Sequence, residues 1–247
     1  ALLSQIIQAM TITIMPATSA YEATGNDHML RELLLRSMRY AAIIALAALL
    51  VATLLIKDVM TLWVGSEYTF LVPYALAIFA SVALVMTISS AHHMLKGLGK
   101  LRIVAFIALV SLVIVPLVLI VSVLALSHDP YLAVTAGLVA GNVVLFIMHL
   151  RFAMKVLCVS LDDTVARVYK QPLIAALIVG MPVFALVKYW GIDVITLRII
   201  VAVLGSVAFL ALMYFAFATA AERKQVAEIA QVLRSRLFLT SRGYKAL

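Results

Sequence analysis

Few side chains in this sequence could do chemistry, and their spacing narrows what that chemistry is. His92 and His93 are adjacent. Neighbours on a helix face different ways, so they make a poor metal pair. His149 falls at the end of an apolar stretch and suits an interfacial position. His128 and Asp129 sit in the four-residue connection from Ser127 to Pro130, and Asp162 and Asp163 are adjacent in another connection. The first pair reads as turn chemistry, and the second, in a cytoplasmic loop, is not expected to work as a general acid/base pair. The single cysteine, Cys158, excludes an intramolecular disulfide. Lys96-Gly97-Leu98-Gly99-Lys100 carries the glycines and lysines of a phosphate loop without its spacing or its Ser/Thr. It reads as a tight turn, with Lys96, Lys100 and Arg102 available to lipid phosphate.

Uncharged polar groups inside apolar stretches carry more weight. Gln5, Gln8 and Asn142 each cost heavily if they face lipid. They either bond across helices or line a cavity for a polar substrate. All three are taken as cavity candidates. No metal site, no cofactor and no nucleophile–base pair is expected, so the chain does not read as an enzyme.

The elements that must position these groups are apolar throughout. Of 247 residues, 66% are hydrophobic and only 12% charged, with a mean hydropathy of +1.16. A soluble domain of this size needs about twice that charge to cover its surface. Soluble enzymes, nucleic-acid-binding domains and disordered chains are excluded, and a polytopic membrane protein remains. Seven apolar stretches stand out, at about 1–20, 40–56, 71–91, 103–126, 131–150, 171–189 and 199–220. Each approaches the roughly 20 residues that span a bilayer. The expected fold is an all-α polytopic membrane helix bundle of seven transmembrane helices.

The net charge of +8 concerns topology and lipid headgroups, with no nucleic acid implied. Of 19 Lys and Arg residues, all but Lys57, Lys188 and Arg198 fall in segments 21–39, 92–102, 151–170 and 221–247. By the positive-inside rule these segments are cytoplasmic, so the tail ends in the cytoplasm. Segments 27–39 and 221–238 each set an apolar stripe beside charge. Leu30, Leu33, Leu34 and Met38 form the first stripe; Val226, Ile229, Leu233 and Leu237 belong to the second. Such helices are expected to lie in the headgroup layer against anionic lipids. Gly137 and Gly141 form a G-x-x-x-G pair for close helix approach. Pro73, Pro116 and Pro182 lie within apolar stretches and are expected to kink a helix or mark a hinge. All eleven Asp and Glu residues lie in connections, near their edges or in the tail, which argues against a mid-membrane ion site in this chain.

A set of short motifs then gains meaning from its order. Met15-Pro16-Ala17-Thr18-Ser19-Ala20 is followed by Thr24-Gly25-Asn26-Asp27 and a basic amphipathic stretch. Leu62-Trp63-Val64-Gly65 with Glu67-Tyr68, then Leu95-Lys96-Gly97 and Gly99-Lys100, come after. This order resembles the C-terminal half of bacterial polysaccharide flippases, in the multidrug/oligosaccharidyl-lipid/polysaccharide exporter superfamily. The motif-bearing part covers residues 1–102; beyond it only helix count and orientation agree. The resemblance implies a fourteen-helix, two-lobe transporter of the bacterial inner membrane, of which these are helices eight to fourteen. Residues 1–150 would supply five helices of the second lobe. Residues 151–220 would supply a cytoplasmic connection and an extra helix pair, and 221–247 a basic amphipathic tail.

The implied partners are a polyprenyl-pyrophosphate-linked glycan, anionic membrane lipids and a missing N-terminal lobe of the same protein. The chain opens within an apolar stretch and lacks the positive n-region of a signal peptide, which fits a piece of a longer protein. One departure stands out. Helix 1–20 has no Arg or Lys to meet a pyrophosphate. Either the missing lobe supplies the cations, or amides such as Gln5 and Gln8 hold the headgroup. Two alternatives are a cation-coupled multidrug exporter of the same superfamily and a seven-helix receptor. Retinal is excluded, because 199–220 has no lysine for a Schiff base.

The charge alternation places Cys158 in a cytoplasmic connection. A membrane-impermeant maleimide should therefore label it only after permeabilisation. Labelling in intact cells would invert the orientation.

Overall fold

The computed structural model describes residues 13–126, 128–190, 194–218 and 223. Among them there is no strand. The helices are α1 (Ile14–Ala23), α2 (Asp27–Trp63), α3 (Val72–Thr87), α4 (Ser89–Gly97), α5 (Leu101–Ala125) and α6 (Pro130–Leu157). They are followed by α7 (Leu161–Tyr189) and α8 (Ile195–Phe217). Counting α3 with α4, six of the described helices are long and apolar enough to cross a membrane. A helix satisfies its own backbone hydrogen bonds, which lipid cannot do. The chain is thus an all-α membrane helix bundle. Of the seven expected spans, the first lies mostly outside the described residues, as does the tail stripe of 221–238.

Local sequence explains the boundaries. Gly25 ends α1 at φ 65°, with its N–H donating to Glu22 O at 3.0 Å and Asn26 N–H donating to Tyr21 O at 3.0 Å. Only a residue tolerant of the left-handed region closes this motif cheaply. Gly99 repeats it after α4, at φ 64°, with Lys100 N–H donating to Leu95 O at 2.9 Å. The Lys96–Lys100 stretch is thus a helix stop. Asn26 Oδ1 then caps α2 by accepting from Met29 N–H at 3.1 Å, and Asp129 Oδ1 caps α6 by accepting from Leu132 N–H at 3.0 Å. Pro73 lies in the first turn of α3 and does not kink it, whereas Pro116 and Pro182 lie inside α5 and α7.

The amphipathic stretch 27–39 is not a separate surface helix. It is continuous with 40–56 in the 37-residue α2. No Gly or Pro interrupts residues 27–63, so nothing stops the helix. Its apolar stripe faces protein. Leu30, Leu34 and Met38 are buried with Ala91 and Met94 of α4, Leu150 and Ala153 of α6, and Val168 of α7. At about 1.5 Å per residue α2 is about 55 Å long, well beyond a hydrocarbon core of roughly 30 Å.

This core gathers the start of α2, the ends of α4 and α6 and the start of α7 at one end of the bundle. Arg31, Arg36, Lys96, Arg102, Arg151 and Arg167 are also near it, so we call it the basic end. A smaller core of Ala175, Phe209 and Met213 ties α8 to α7 and α2. Along α5 only Ile107 is buried, and Leu109, Leu112, Leu117 and Leu124 are exposed, as befits a lipid-facing helix.

Small residues set the closest approaches. A Cβ on Gly97 would lie 2.7 Å from the Met15 carbonyl oxygen, and Ser19 Oγ donates to Gly97 O at 2.9 Å. Thus two of the separate sequence motifs meet where α1 crosses α4. Gly137 and Gly141 form the seam between α6 and α5. A Cβ on Gly137 would stand 2.8 Å from Leu119 Cα, whereas one on Gly141 would meet only the Val115 side chain, at 3.0 Å. At the far end Arg198 Nη1 donates to Asp58 Oδ1 at 2.8 Å, with side chains only 13% and 16% exposed.

Gly137→Ala should therefore destabilise the purified protein by about 1–3 kcal/mol, because backbone must move, and Gly141→Ala by less. Thermal unfolding in detergent checks the order. Arg198→Ala should cost about 3–5 kcal/mol by stranding Asp58, and the double variant Asp58→Leu/Arg198→Leu should recover much of it. An unchanged midpoint for Arg198→Ala would show that the pair clamps nothing.

Candidate functional site

The titratable groups meet at the basic end. On α3 and α4, Val85, Ser89, His92 and Lys96 recur at helical spacing and form one stripe. His149 comes from the last part of α6. Its Nδ1 lies 3.0 Å from Leu145 O. A carbonyl only accepts, so Nδ1 carries the proton and Nε2 is left as an acceptor. The His92 and His149 rings stand 5.4 Å apart between centroids, and His92 meets His93 edge-on at 5.7 Å. The adjacent histidines, expected to face different ways, thus border one space, where a third from another helix joins them.

These rings line a cavity of about 520 Å³, together with Lys96, Ser89, Met86, Val85 and Ile88. The lining holds no carboxylate. The Lys96 ammonium and the His92 and His93 imidazoles supply N–H donors there, with no built-in counter-ion. Such a wall suits a phosphate or another anion, through a charge-assisted hydrogen bond from Lys96. Among the described residues no group of three or more His, Cys, Asp or Glu side chains has the geometry to hold a metal ion.

A second cavity, of about 510 Å³, lies on the neighbouring face of α3, between α2, α6 and α7. Ala42, Ala45, Ala77 and Ala80 keep it open by their small size, and Leu84, Val143 and Leu173 make it greasy. Its polar wall groups are satisfied. Thr87 Oγ1 and Tyr169 OH share a hydrogen bond of 2.9 Å, and Phe146 packs on the Tyr169 ring. Leu84 and Thr87 line this cavity, whereas Val85 and Ile88 line the histidine cavity. The two spaces therefore lie side by side on one helix.

The residues expected from sequence distribute unevenly over this arrangement. Gln5 and Gln8 lie outside the described residues. Asn142 is half-buried beside the apolar cavity, where its Nδ2 donates to Ser81 Oγ at 2.9 Å and ties α6 to α3. Lys96 lines the histidine cavity, while Lys100 and Arg102 are exposed at the start of α5. The group not foreseen is the His92–His93–His149 cluster. The signal for it was present, because the charge alternation already puts segment 92–102 and position 149 at one membrane face.

No family model, curated protein or solved structure matches this chain.

Proposed function

We propose that the chain is part of a transporter that flips a lipid-linked, phosphate-headed oligosaccharide from the cytoplasmic to the outer leaflet of the bacterial inner membrane, with its C-terminus cytoplasmic. The observation that carries this reading is the pair of adjoining cavities, one apolar and one lined by Lys96, His92, His93 and His149. An amphiphile with a polyprenyl chain and a pyrophosphate head needs both kinds of surface within reach of one another. The order of motifs in residues 1–102, two of which meet where Ser19 bonds Gly97, supports the same reading.

The residues have distinct tasks in this mechanism. Lys96 neutralises phosphate charge as a mobile ammonium. The His92 and His93 imidazoles add directional N–H donors beside it. The alanine-walled cavity takes apolar chain without a polar desolvation cost. Alternating access would move the head between faces as one lobe rocks against another, and the prolines inside α5 and α7 offer bending points. The N-terminal lobe would be the partner that closes the cavities.

Deleting the intact gene should leave lipid-linked glycan accumulated on the cytoplasmic leaflet, measured by its access to an added glycosidase in inside-out vesicles. Restoring the gene with Lys96→Gln and His149→Gln together should recover only about a tenth of the export, the loss of about one charge-assisted hydrogen bond. Normal glycan export in the deletion strain would overturn the proposal.

A further inference from the structure

A second polar pocket lies at the basic end, away from the histidines. Glu32, Arg36 and Arg39 lie on one stripe of α2, and across from them α7 supplies Arg167 and Gln171 around a space of about 250 Å³. Glu32 holds two of the guanidiniums: Arg36 Nε donates to Oε2 at 3.2 Å and Arg167 Nη1 to Oε1 at 2.7 Å. Arg39 Nη2 donates to the Phe217 carbonyl at 2.7 Å. Among the described residues two guanidiniums, Arg36 and Arg167, share the one carboxylate of this lining, so that trio keeps an excess charge of one. Among the described residues the hydrogen bonds of Arg36 and Arg167 use one of the five N–H donors each carries.

The backbone around this pocket is unusual. The π-helical turn Val165–Lys170 supplies Arg167, and a second π-helical turn, Met213–Phe217, ends in the carbonyl that holds Arg39. Such turns are rare and gather at functional sites. Along the same seam between α2 and α7 runs an apolar groove of about 280 Å³, with Leu46, Leu50, Leu177, Gly180 and Phe184 in its walls. Positions 36, 39, 43, 46 and 50 recur at helical spacing on α2, so charge and groove share one stripe. From Arg36 to Leu50 the rise is about 21 Å, the order of an extended acyl chain.

We propose that this seam is a binding site for one anionic phospholipid, its phosphate between Arg36 and Arg167 and one acyl chain along the Leu50–Gly180 groove. A basic pocket between membrane helices recognises such a headgroup by charge. The apolar groove selects a lipid over a free anion. The bound lipid would join α2 to α7 and α8 where the three helices meet.

The test uses the purified chain in detergent, with its thermal midpoint followed during titration of dioleoylphosphatidylglycerol, dioleoylphosphatidylcholine or inorganic phosphate. Phosphatidylglycerol should raise the midpoint, and the other two should not. Arg36→Gln should weaken the phosphatidylglycerol response about tenfold in apparent affinity. Because that change also frees Glu32, the variant Glu32→Gln/Arg167→Gln removes one charge of each sign and should weaken it as well. Gly180→Leu, which leaves the guanidiniums in place, should weaken it by filling the groove. Equal responses to the two lipids, a response to inorganic phosphate alone, or wild-type titrations in all the variants would overturn the site.

Discussion

The stripe Leu30, Leu34, Met38 and Ala42 on α2 is buried among Ala91, Met94, Leu150, Ala153 and Val168. Through this contact four helices converge at one end of the bundle. The same contact determines where the chemistry can sit. With α4 and α6 held against α2, His92 and Lys96 are brought beside His149. The opposite side of α2 is free to carry Glu32, Arg36 and Arg39 toward α7.

Close packing at this end contrasts with open space beside it. Alanines at 42, 45, 77 and 80 leave a void that larger aliphatic residues would fill, while Tyr169 and Thr87 satisfy each other in its wall. A bilayer protein gains little by burying apolar surface away from lipid, since lipid tails are equally apolar. Helix contacts therefore depend on fit and on hydrogen bonds. The Gly137–Leu119 approach, the Asn142–Ser81 bond and the Ser19–Gly97 bond each supply one of these. None requires a large apolar residue, which leaves room for cavities between the seams.

Much of the fold was legible from sequence because membranes simplify the code. Long apolar stretches must be helices, and a basic bias in alternate connections orders them. Gly25, Asn26, Gly99 and Asp129 mark boundaries by chemistry that acts within a few residues, and the structure uses all four. Gly137 and Gly141 likewise announced a close approach, although not its partner, α5. The reading of 27–39 as a headgroup-layer helix failed because an apolar stripe has the same pattern against lipid as against protein. Only the positions of α4, α6 and α7 tell the two apart.

The same division holds for the sites. Composition and hydropathy alone settled that this is a helical membrane protein, because 66% hydrophobic residues in spanning lengths have no other stable arrangement. Sequence also supplied the ligand-type residues, a lysine between glycine turns and three histidines near one face. It did not supply their meeting. Residues 92 and 149, or 32 and 167, are far apart along the chain, and no local periodicity encodes a contact over that separation. Tertiary packing alone decided that Glu32 would orient Arg36 and Arg167, and that His149 would complete the pair at 92 and 93, because interhelical contacts depend on how whole helices rotate against one another.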